Sequence, residues 1–177
     1  MEDACKKELI GQVCTTLNNA VKQLIADNIA SNRAWTHTLL LNLAELGVSN
    51  EYGVCPWPES MKGSWLYDLI WYVEEAEGEW PLRIRDVILV LESEWSLYLC
   101  DIRYDFQKLV QAKSRIKVML CRMLADGEME ELKKDIETFA RKDESETYLL
   151  VLYNSKHRAL DYWEYGWQDG NGIWLRI

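Results

Sequence analysis

Residues 86 to 95 read DVILVLESEW, and the apolar run Val87 to Leu91 passes straight into Glu92 and Glu94. Side chains two apart share a face of a strand, so both carboxylates point the same way. Asp68 interrupts WLYDLIWYV, residues 65–73, in the same manner. If the two strands pair, three carboxylates converge. Two such charges about 4 Å apart repel by roughly 4 kcal/mol at an effective dielectric near 20. A cation, a proton or a basic side chain must offset that. Hard oxygen donors with open positions suit Mg²⁺ or Mn²⁺. The same residues have a plainer reading, in which the glutamates end an exposed strand and Asp68 pairs with Arg83 or Arg85.

The elements that must hold these side chains follow from period. Leu9, Val13, Leu17, Ala20, Val21, Leu24 and Ile25 fall at helical steps. A second helix is predicted from Asn32 to Leu46, stopped by Gly47, and 50–64 has the prolines and glycines of a loop. Strands are predicted over 65–73 and 85–95, with a turn at 74–81 between them. A helix over 102–114 and a strand over 116–123 come next. Asp126-Gly127 reads as a break before a charged helix over 128–141. A strand over 147–153 and two more around Asp169-Gly170-Asn171-Gly172 complete the chain. Strands interleaved with helices predict one α/β domain over 1–177, a three-layer fold with a mixed central sheet. Within it, 1–47 is helical, 64–125 is the core that carries the carboxylates, and 126–177 adds a helix and strands.

Composition narrows the class. The chain has 177 residues, 49% of them hydrophobic, and a net charge of -9. MEDACKK lacks the basic-then-apolar order of a signal peptide. No stretch approaches the roughly 18 apolar residues of a membrane span. The five cysteines have no regular spacing, which predicts free thiols in a reducing, cytoplasmic setting, with Cys100 and Cys121 as core filler. The acidic balance weighs against nucleic-acid binding, which needs Lys and Arg. Yet Lys108, Lys113, Arg115, Lys117 and Arg122 occur with no acid between Lys108 and Asp126. That run is either a solvated helix face or a local phosphate-facing patch at Lys113, Arg115 and Lys117. His37 and His157 are isolated, and the nine tryptophans are read mainly as packing residues. There is no P-loop, dinucleotide or zinc motif.

An Asp in one strand, E-x-E ending the next, a helix reading D-F-x-K-L and a strand reading I-K-V-M-L together resemble the PD-(D/E)xK nuclease superfamily over about residues 35–123. The resemblance implies a restriction-endonuclease-like fold and Mg²⁺- or Mn²⁺-dependent hydrolysis of phosphodiester bonds. Asp68 and Glu92 would hold the metal, with Glu45 of the first core helix and the Ser93 carbonyl in support. The sequence departs from the family where its lysine usually stands, which here is Glu94. Some members carry an acid there, and in others the lysine moves to the following helix, which offers Lys108 or Lys113. Glu94 or Lys108 would then orient or deprotonate the attacking water. Asp105, three residues before Lys108, reads as that lysine's partner.

A second function fits the same residues: an inactive binding or regulatory protein on this fold, acting through a protein partner. An acidic exterior suits docking on a basic protein, and a tryptophan-rich sheet edge near the C-terminus suits a homodimer. Convergence of Asp68, Glu92, Glu94 and Glu45 would favour the nuclease. Capture of either strand glutamate by Arg83, Arg85 or Arg103 would favour the binding module.

Overall fold

Successive residues of a strand face opposite ways. The strand over 116–122 buries nearly every side chain, so its sheet must be covered on both faces. The computed structural model, which describes residues 3–56, 66–75, 84–139, 146–168 and 171–177, shows how. Its elements are α1 (Asp3–Ala26), α2 (Asn32–Ser49), β1 (Gly53–Cys55), β2 (Leu69–Glu74), β3 (Ile84–Glu94), α3 (Leu99–Gln111), β4 (Ile116–Arg122), α4 (Asp126–Thr138), β5 (Thr147–Asn154), β6 (Ala159–Gln168) and β7 (Asn171–Arg176). The strands form one mixed seven-stranded sheet in simple sequence order. β1, β2 and β3 are an antiparallel meander, β3, β4 and β5 run parallel, and β6 and β7 return antiparallel.

Helices α1 and α2 cover one face, packing Val13, Leu17, Leu39 and Leu43 on Leu89, Leu91, Val118 and Val151. Helices α3 and α4 cover the other, where Ile102, Phe106, Leu109 and Leu132 meet Ile70, Val90, Met119 and Leu150. Both crossover helices lie on one face. The right-handed crossover rule gives that result when the chain advances across a sheet in one direction. The molecule is thus a three-layer α/β structure. None of its described helices is long and apolar enough to cross a membrane.

The predicted elements are present, with four corrections. β1 was read as loop; at three residues on the sheet edge it is too short to show a period. Gly47 does not stop α2, which continues to Ser49. Gly47 is instead a close-approach site: a Cβ there would stand 2.7 Å from Trp71 Nε1 and 2.9 Å from a Val54 methyl. Asp126-Gly127 begins α4 rather than breaking the chain, because the Glu128 side chain accepts the Ala125 N–H at 2.9 Å and caps the first turn. Cys100 is exposed on α3, while Cys121 is buried as expected. The turn over 74–81 lies mostly outside the described residues, as do Asp169 and Gly170. β6 and β7 pair antiparallel from Gln168 with Asn171 onward.

Candidate active site

The carboxylates lie at the carboxyl end of β3, where the antiparallel meander meets the parallel block. The strand order does not reverse there, so the place is marked by its side chains and not by the topology of the sheet. Glu92 shares parity with Val90, whose side chain packs under α3, so Glu92 points into the α3 face. It is only 1% exposed.

Asp68 immediately precedes β2, and the backbone of β3 holds it at both ends. Its N–H donates to the Leu91 carbonyl at 3.1 Å, and its Oδ2 accepts the Ser93 N–H at 2.8 Å. Leu69 pairs with Leu91, so the next step of the antiparallel register sets Asp68 beside Glu92. Lys108 comes down from α3, where Asp105 one turn earlier steadies it at 2.9 Å. Its ammonium stands 2.7 Å from Glu92 Oε1. The contact pairs a buried carboxyl with an ammonium that Asp105 also holds. Three elements thus bring Asp68, Glu92, Asp105 and Lys108 together.

The electrostatics follow from burial. Loss of water pushes Glu92 up to about 8; the Lys108 contact opposes this, and the nearby charges of Asp68 and Asp105 add to it. Asp68 is raised by burial too, with the Ser93 N–H and Lys108 pulling it back and Asp105 and Glu94 pushing it up. Burial works against the charge of Lys108, but its contacts with Glu92 and Asp105 outweigh that and its pKa is raised. The ammonium therefore stays protonated at neutral pH.

Glu94 shares the face of Glu92, is half-buried and lies close enough to act on Asp68. Its Oε1 accepts the Ser96 N–H at 2.6 Å, so the chain folds back on it just past the strand. A residue that sequence reasoning missed supports this end of β3 from beneath. Thr36 of α2 accepts a hydrogen bond from Trp95 Nε1 at 2.8 Å, and its hydroxyl lies 3.4 Å from that of Ser93. The residues alternating with Glu92 and Glu94 are tied to α2 on the opposite face. A lone threonine in a helix carries no sequence signal for this.

Other expected site residues lie elsewhere. Glu45 is exposed on α2, which packs on the far face of the sheet, so the sheet separates it from Glu92. The basic patch does not form. Lys117, 1% exposed, points inward under α3, pairing with Glu146 and donating to Tyr148 Oη at 3.1 Å and the Val110 carbonyl at 3.3 Å. Arg115 is held by Asp86 at 2.5 Å, and Lys113 is exposed. The arginines that would have captured the glutamates do not. Arg103 binds Asp135 and Glu131, Arg85 is exposed, and Arg83 lies outside the described residues. His37 and His157 are both exposed.

Among the described residues, no three His, Cys, Asp or Glu side chains come near enough together to hold a metal ion. Mg²⁺ does not need three: it is commonly bound by one or two carboxylates, with waters and substrate phosphate completing its shell. Asp68 and Glu92, side by side on paired strands, could supply that pair, at a place where the Lys108 ammonium already meets Glu92 Oε1 at 2.7 Å. No protein-family model, no curated protein and no solved structure matches this chain.

Proposed function

We propose that the protein is a metal-dependent phosphodiester hydrolase acting on nucleic acid, a divergent relative of the PD-(D/E)xK nucleases with a restriction-endonuclease-like core over α2–β4. The observation that carries this reading is the meeting of Asp68 and Glu92, from two paired strands, with Lys108 from the next helix. Asp68 and Glu92 would hold Mg²⁺ or Mn²⁺. When bound, the ion would polarise the scissile phosphate and make water a stronger nucleophile. Lys108 is a poor base because it stays protonated, so it would lay positive charge beside the phosphate. Asp105 positions it. Glu94 is the remaining carboxylate on that face and would take the proton of the attacking water.

The test is cleavage of labelled single- and double-stranded DNA and RNA in Mg²⁺ or Mn²⁺. The expected result is metal-dependent cleavage that Glu92→Gln and Asp68→Asn abolish and that Glu94→Gln slows by about 10²–10⁴-fold. A wild type that cuts none of these substrates, or variants as active as wild type, would overturn the reading.

One observation favours the inactive binding protein instead. The Lys108 ammonium contacts both Glu92 and Asp105, so the cluster is already partly neutralised without a metal. On that reading the protein acts through a partner, and it binds no divalent ion.

A further inference from the structure

The rim of the carboxylate cluster is aromatic and apolar, with few cations free for phosphate. Tyr104 is 70% exposed, one turn before Lys108 on α3, with its ring centroid 6.0 Å from the ammonium. Leu66 is 63% exposed, and its carbonyl lies 3.5 Å from the same ammonium. Tyr67 is half-buried and feels the charges of both Glu92 and Lys108. Large exposed apolar side chains scattered singly mean nothing, but several grouped around one charged site mark a binding surface.

A duplex would bring many phosphates to a protein whose net charge is unfavourable to them. Arg103, Arg115, Lys117 and Arg122 are each paired with a carboxylate, and Lys108 with Glu92 and Asp105. The net charge is -9. Stacking on an exposed aromatic side chain adds affinity that the unpaired bases of a single strand offer and those of a duplex do not. Resting on the phosphodiester hydrolase reading above, we propose that the substrate is single-stranded nucleic acid, with a base adjoining the scissile phosphate stacked on Tyr104 and flanked by Leu66. Lys108, one turn along, then meets the phosphate.

Binding and cleavage are measured separately, using a labelled 12-nucleotide single strand of DNA or RNA and the matching duplex. Binding is read by fluorescence anisotropy in Ca²⁺, cleavage in Mg²⁺ or Mn²⁺, for wild type, Tyr104→Ala and Tyr104→Phe. Tyr104 is on the surface, so both variants are expected to melt like wild type. The expected result is binding to the single strand at least tenfold tighter than to the duplex, weakened about ten- to hundredfold by Tyr104→Ala and retained by Tyr104→Phe. That pattern without cleavage would sink the hydrolase and overturn the inference as a statement about substrate, leaving only a single-strand binding surface at Tyr104. Cleavage with equal use of duplex, or indifferent to Tyr104→Ala, would sink this inference and leave the hydrolase. A wild type that binds neither form overturns the inference. So does a Tyr104→Ala variant that changes only self-association in sedimentation, which would make the patch a protein-docking surface.

Discussion

Glu92 is the residue on which the account turns, and its burial makes a pH prediction independent of any activity. Its folded pKa is raised from the ordinary 4.5 to about 8. A carboxyl that holds its proton more tightly folded than unfolded stabilises the fold at low pH, and that stability is lost as pH rises across the window between those values. The metal-free protein should melt at progressively lower temperature from pH 5 to pH 8, at about 2–4 °C per kcal/mol for a chain of this size. Glu92→Gln should flatten the dependence and melt higher than wild type at pH 8, since the amide has no charge to bury. Thermal melts monitored by circular dichroism would show it; an identical slope in the variant would place the titration elsewhere. At this scale the sequence was informative in part. Period two and an apolar lead-in pointed to Glu92 and Asp68, and helical spacing paired Asp105 with Lys108. That Lys108 also reaches Glu92 depends on how α3 packs over β3, which no spacing encodes.

At the scale of elements, the site depends on how α2 is fastened to β3. Thr36→Val should remove the hydroxyl that receives Trp95 Nε1, costing about 1 kcal/mol in denaturant unfolding. It should also weaken divalent-ion binding, because the strand end presenting Glu92 and Glu94 loses its anchor. Unchanged ion affinity beside lowered stability would confine Thr36 to a structural role. Gly47→Ala should cost about 1–3 kcal/mol, since the new methyl meets the Trp71 indole at 2.7 Å and the buried ring cannot move aside. The helices and long strands were legible because their apolar periods run for many residues. Edge strand β1 was not, and Gly47 was misread because a glycine near a helix end serves a cap or a close approach equally well in sequence. Glu45 was assigned to the site by resemblance, but only the layer order tells which side of the sheet α2 covers.

At the scale of the whole molecule, charge sets the terms of recognition. The supposed basic patch failed for a reason that the sequence did contain: a strand buried on both faces has no solvent-facing position, so Lys117 within IKVMLCR had to find an internal partner. With most neighbouring cations engaged by carboxylates, few phosphates can be neutralised. Binding of a single strand should therefore have a shallow salt dependence. The slope of log K against log salt should be no steeper than about -2, where each phosphate contact contributes about -0.7. A slope near -5 would contradict this and make phosphate contacts the main source of affinity.

The central claim is that Asp68 and Glu92 form a divalent-ion site, and calorimetric titration of Mn²⁺ and Mg²⁺ into wild type and Glu92→Ala at pH 8 tests it most directly. The account predicts saturable binding by the wild type below millimolar concentration that is lost in the variant. Absence of binding by either protein at millimolar metal, or equal binding by both, would contradict it and leave the glutamates of DVILVLESEW as structural residues or part of a partner surface.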